Sequence, residues 1–115
     1  MTIKECYEKM GANYDEVKRR LPSDAFIQRF AVKFVNDPSF PDLEKFLADG
    51  NVKEAFRAAH TLKGVVQNLA FSQLVPLSVE ITEILRAGSM EGTASRMEEL
   101  KKKYDLTIAC INELD

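Results

Sequence analysis

The sequence predicts an all-α protein: an antiparallel four-helix bundle with extra short N-terminal helices. Three observations predict it. Apolar residues recur at steps of three and four along nearly the whole chain, and no stretch alternates as a strand would. Capping residues and glycines punctuate the periodic segments. The connections between the longer segments are short, which sets successive helices side by side and antiparallel. With 115 residues, 45% of them hydrophobic and 30% charged, the chain is expected to fold as a single domain over 1–115.

The elements follow in order. Thr2 opens a T-x-x-E capping box with Glu5, and Ile3, Cys6, Tyr7 and Met10 then share a helical face until Gly11 stops it. Tyr14, Val17 and Leu21 continue the spacing in a second short segment. Ser23 is the expected N-cap of a third helix, where Phe26, Ile27, Phe30, Ala31, Phe34 and Val35 form one apolar stripe read as core. Asn36-Asp37-Pro38 ends it. A short helix with Pro41 early and Leu43, Phe46 and Leu47 inward runs to Gly50.

Asn51 caps the next helix, with Glu54 three residues on. From Val52 to about Ala70 this helix carries Ala55, Ala59, Leu62, Val66 and Leu69 on one face. Ser72 is the expected cap of the following helix, which runs to Ala87 and buries Leu74, Leu77, Ile81, Ile84 and Leu85. Pro76 falls in its first turn, where proline is tolerated, and Gly88 stops it. The last helix starts near Thr93 and turns Met97, Leu100, Tyr104, Ile108 and Ile111 inward. Glu98–Lys102 and Glu99–Lys103 are i,i+4 pairs on its solvated side.

Composition narrows the function. A net charge of −2 does not suit a nucleic-acid binder. No run approaches the ~18 apolar residues of a membrane span. The charged start Met1–Cys6 is not followed by the apolar run of a secretory leader, so a cytoplasmic protein is expected. Cys6 and Cys110 lack metal-ligand spacing and are read as reduced, partly buried thiols rather than as a disulfide between the terminal segments. Nothing demands a dimer, and a monomer is expected.

One feature is not explained by folding. His60 is the single histidine. At 100° per residue it lies roughly 120° from the centre of its helix's core stripe, at or beyond the edge of the buried face. Lys53, Arg57, Lys63, Gly64 and Gln67 share its side. Gly64 costs about 1 kcal/mol relative to alanine inside a helix, and the apolar pattern does not ask for it. A missing side chain beside an exposed histidine leaves room for something bulky to approach. An imidazole in water is largely neutral at pH 7, so a ring nitrogen can attack phosphorus. Lys63 can pair with the charge so formed, with Arg57 and Lys53 adding longer-range attraction, and Gln67 can orient the ring or bond a phosphate oxygen. The plainer reading is a lone surface histidine with no role; the interior glycine counts against it.

The run Ala59-His60-Thr61-Leu62-Lys63-Gly64, followed by Asn68-Leu69-Ala70 and Leu74, resembles the signature of histidine-containing phosphotransfer (HPt) domains: A-H-x-L-K-G, then N-L-G/A and a leucine, without gaps. Leu77 to Gly88, with Arg86 near its end, also looks like that family's next helix. The resemblance is specific from Ala55 to Gly88; the N-terminal third agrees in helix placement only. It implies that His60 accepts a phosphoryl group, that Lys63 stabilises it and that Gly64 opens access. It further implies a phosphorelay intermediate that exchanges phosphate with the aspartate of a response-regulator receiver domain, a hybrid histidine kinase being one source of such a domain. No cofactor is expected on this chain, the Mg²⁺ belonging to the receiver. Two positions depart from the pattern. Ala70 stands where many members have glycine, a change expected to be harmless. Thr82 stands where many have Gln or Glu facing the histidine, leaving Glu83 or Gln67 to substitute.

Competing functions fit less well. An adapter bundle that binds a signalling partner without carrying phosphate predicts the same fold, but has no need of His60, Lys63 and Gly64 together. A di-iron bundle needs Glu-x-x-His pairs, and Arg57 occupies the position three before His60. An ATP-using kinase would need a glycine-rich phosphate loop, and none occurs. Phe71 falls by helical count nearer His60 than the core, which favours an exposed docking contact over a staple across the helix end. The partner surface is expected to surround His60 and to include Gly64 and Gln67.

Overall fold

The computed structural model describes residues 1–115, and seven helices account for most of them: α1 (Ile3–Met10), α2 (Tyr14–Arg20), α3 (Asp24–Phe34), α4 (Ser39–Ala48), α5 (Val52–Asn68), α6 (Val75–Arg86) and α7 (Thr93–Asn112). Helices α4 to α7 form the bundle. α5 packs against α4 and α6, and α6 against α7. Phe40 of α4 stacks on Tyr104 of α7 with ring centroids 4.0 Å apart, which joins the first and last bundle helices. Helices α1 and α3 pack on α7 and on each other, and α2 joins them.

Local chemistry explains most helix ends. Thr2 and Glu5 form the reciprocal capping box at α1, and Gly11 ends that helix in the left-handed conformation at φ 79°. The side chains of Asn13, Ser23 and Asn51 accept from the third backbone N–H of α2, α3 and α5. Gly50 turns left-handed at φ 70° between α4 and α5. The hydroxyl of Tyr14 and the ammonium of Lys18 both donate to Asp24, tying α2 to α3 and holding that carboxyl below its usual range.

A cluster of 25 buried apolar residues runs through the molecule, with members from every helix. Along α5 the buried face is Ala55, Ala58, Ala59, Leu62 and Val66, the predicted stripe with Ala58 added. Each large aliphatic side chain so buried stabilises the fold by about 1.5–3 kcal/mol. Cys6 and Cys110 are free thiols, fully buried rather than half-buried, and burial pushes Cys6 up to about 11.

Four expectations are corrected. The stripe on α3 is not all core: Ile27, Ala31 and Phe34 are buried, but Phe26 and Phe30 remain 41% and 38% exposed. The helix packs on α1, α2 and α7, and the side bearing Phe26 and Phe30 is left uncovered. The two exposed rings stack on each other at 6.5 Å, with Arg29 and Lys33 over them. Next, α5 ends at Asn68 rather than Ala70. The N–H of Ala70 donates to Gln67 and that of Phe71 to Val66, the paired bonds of a Schellman motif, with Ala70 left-handed at φ 55°. This turn delays α6, so Ser72 does not cap it; its hydroxyl donates to the carbonyl of Gly11, and α6 begins at Val75 after a turn from Phe71 to Leu74. Finally, in α7 the ion pair formed is Lys101–Asp105 at 3.5 Å, not the two pairs expected from spacing.

Candidate functional site

His60 lies near the middle of α5 and is exposed, as the helical count predicts. Two neighbouring helices hold its backbone in place. The three alanines on the buried face let α4 and α6 approach closely, and Leu62 and Val66 anchor the following turns. The far end of α5 is gripped by the N-terminal helices. The Tyr7 hydroxyl donates to the Leu69 carbonyl at 2.7 Å, the Asn13 amide donates to Ala70 at 2.9 Å, and the Arg20 guanidinium donates to the carbonyl of Gln67. These bonds satisfy carbonyls that a helix C-terminus otherwise leaves open.

Around His60 the predicted residues fall as follows. Lys63 is half-buried one turn on and forms no ion pair. Gly64 has ordinary helical backbone, and a Cβ built on it meets nothing within 4 Å. Neither packing nor conformation therefore asks for glycine. Gln67 is exposed on the same line. Arg57 is exposed, but its guanidinium is drawn back to Glu54 at 3.2 Å. Lys53 is exposed without an ion pair. On the opposite flank of Gly64, Val65, Asn68 and Leu69 line a groove with Leu21, Phe30 and Phe34.

Two expected contributors do not reach the histidine. Thr82 is fully buried on the inner face of α6, and its hydroxyl donates to the Ser78 carbonyl at 2.6 Å. Its side chain therefore has no donor left to offer, and a short branched residue there packs inward. Glu83 is exposed and paired with Arg86 at 3.1 Å. Phe71 is no docking contact: it is fully buried, between Tyr7 at 5.5 Å and Phe34 at 5.2 Å. The helical count fails for it because the left-handed Ala70 lies between it and α5.

The helical line drawn from charge and glycine passed over Phe56. Its ring stacks on His60 with centroids 5.8 Å apart and planes inclined by 21°. The guanidinium of Arg86 lies over the same ring at 5.0 Å. The i,i+4 spacing of Phe56 and His60 was a usable signal for the first contact; the second joins residues thirty apart in the chain and had none.

The site is an exposed surface of α5. No three His, Cys, Asp or Glu side chains cluster to hold a metal ion. What it offers is an exposed imidazole, an ammonium without an ion pair one turn away and open space over Gly64. Such a surface can present a nucleophile to a macromolecule that brings its own reactive group.

No curated protein and no solved structure matches the chain. A family model described as Hpt domain matches residues 37–109, a span that takes in α4, α5, α6 and most of α7 and holds His60 and its neighbours. On that match over more than half its length, the chain belongs to the Hpt domain family.

Proposed function

We propose that this protein is a phosphorelay intermediate that carries a phosphoryl group on His60 and exchanges it with the aspartate of a receiver domain. Hpt domains are histidine phosphotransfer modules of two-component signalling, and the reading gives that role its residues here. The observation that carries it is Gly64. A glycine inside a helix, with empty space where its side chain would be, lies one turn from an exposed histidine. It destabilises the helix by about 1 kcal/mol relative to alanine and has no packing reason. Room for a phosphoryl group and the loops that deliver it is a reason.

The chemistry follows from the residues. A lone pair on a His60 ring nitrogen attacks the phosphorus of an aspartyl phosphate. The N–P bond forms as the P–O bond to the aspartate breaks, and the carboxylate leaves with the bonding pair. The ring proton remains on the other nitrogen or passes to water. Lys63 neutralises part of the charge brought to the helix surface. Arg57 would contribute less while it pairs with Glu54, and Gln67 offers an amide to a phosphate oxygen. The reverse sequence hands the group to the next receiver. The divalent cation of such transfers would be held by the receiver, and ATP would be used on another chain, so this protein acts as a carrier rather than a kinase. No helix is long and apolar enough to cross a membrane, and the reading places its partners, and so the chain, in the cytoplasm.

The test is direct. Incubation with phosphorylated receiver domains from the same genome should give an acid-labile, base-stable label on the wild-type protein and none on His60→Gln. Absence of label with every receiver, or label that survives His60→Gln, overturns the reading.

A further inference from the structure

We propose that Phe56 is the positioning residue for His60: its ring holds the plane of the imidazole, and Arg86 braces that ring from the neighbouring helix. The inference rests on the carrier reading above. An exposed imidazole on a helix samples several rotamers unless something holds it. Histidines that do chemistry are commonly oriented by a hydrogen bond to one ring nitrogen. Here no side chain of the protein supplies one. The two candidates on α6 are committed elsewhere, Thr82 to Ser78 and Glu83 to Arg86.

The contact the ring does make is with Phe56. The centroids are 5.8 Å apart and the planes 21° from parallel, an offset stack within the range at which aromatic pairs attract. Phe56 is half-buried and packed against the bundle core, so its ring is fixed relative to the backbone where that of His60 is not. Arg86 adds a constraint from outside the helix: its guanidinium lies 5.0 Å from the centroid of the same ring, and its Nε is held by Glu83 at 3.1 Å. The brace thus runs from α6 through Phe56 to His60.

A ring stack does something different from a hydrogen bond. It selects a plane and leaves both ring nitrogens unbonded. It adds no acceptor that would compete for the imidazole proton, and no anion that would repel an arriving phosphoryl group. The expected kinetic signature is specific: losing the stack lowers the fraction of time the ring faces an incoming phosphorus, without weakening the docking of the partner.

Single-turnover transfer should be measured from the phosphorylated receiver domain that labels the wild-type protein fastest, over a range of receiver concentrations. Phe56→Leu keeps apolar bulk but loses the ring; the maximal rate should fall about three- to tenfold, the range an aromatic pair supports, with the half-saturating concentration unchanged. Phe56→Tyr keeps the ring and should restore the rate to within about twofold. The NMR signals of the His60 ring protons should sit upfield in the wild type and in Phe56→Tyr, from the ring current of residue 56, and lose that shift in Phe56→Leu. A folded Phe56→Leu that transfers at the wild-type rate overturns the proposal. So does a Tyr variant as slow as the Leu variant, or a wild-type protein whose His60 protons show no ring-current shift; that last measurement decides even if Phe56→Leu does not fold. A wild type that no receiver labels overturns the carrier reading and the positioning role with it, whereas a labelled wild type matched by Phe56→Leu overturns the positioning role alone.

Discussion

The hydroxyl of Tyr7, in the first helix, donates a buried hydrogen bond at 2.7 Å to the carbonyl of Leu69, just past the end of the helix that bears His60. Sixty-two residues separate the two along the chain. The bond ties a segment outside the family match to the end of the His60 helix within it. Removing the hydroxyl strands a carbonyl in the interior, at a cost of about 1–3 kcal/mol. Tyr7→Phe should lower the urea midpoint accordingly. Because the His60 surface lies two turns away, the labelling rate at low denaturant should stay at the wild-type value, and a parallel fall in both would show that α1 governs the site as well as the stability.

Ala70 is the one non-glycine residue with positive φ, at 55°. A left-handed alanine costs about 1–2 kcal/mol, and the Schellman turn together with the Asn13 bond holds it there. The sequence resemblance marks this as a position where glycine is common and implies that alanine is harmless there; the positive φ shows that it carries strain. Ala70→Gly should therefore stabilise the protein by about 0.5–1 kcal/mol, the relief of strain being partly offset by the greater freedom of glycine in the unfolded chain. Thermal unfolding checks this, and a lower midpoint for the glycine variant would contradict it.

Gly64→Ala should separate folding from function. The added methyl meets nothing within 4 Å, so the variant should gain about 1 kcal/mol of stability from helix propensity. Phosphoryl transfer should nevertheless slow, because the methyl fills space beside the attacking ring. Opposite signs in calorimetry and transfer kinetics are the expected result. If both improve together, Gly64 does not serve access.

The two cations near His60 should differ in weight. Lys63 has no carboxylate partner, while Arg57 is engaged by Glu54 at 3.2 Å. Lys63→Ala should reduce transfer by about tenfold or more, as loss of a charge stabiliser at the reacting group does. Arg57→Ala should change it by less than about threefold, the range of an exposed charge acting at a distance. Adding salt should reduce the smaller effect first. Equal losses in the two variants would mean that Arg57 leaves Glu54 to meet the phosphoryl group.

What the sequence determined by itself lies within about one helical turn of each residue. The caps at Thr2, Asn13, Ser23 and Asn51 are bonds between a side chain and a backbone three residues on. The turns at Gly11 and Gly50 follow from one residue's freedom to adopt positive φ. The outward direction of His60 follows from 100° per residue on an unbroken helix. The tertiary structure decided what depends on neighbours distant in the chain. Phe26 and Phe30 belong to the same apolar stripe as Phe34, yet only the flank that another helix covers is buried. Phe71 turned inward once Ala70 broke the helical count, and Thr82 is buried and bonds its own helix. The stack at the histidine, Arg86 over Phe56 beside His60, exists because α6 packs against α5 at that height, and periodicity along one helix carries no information about the register of the next.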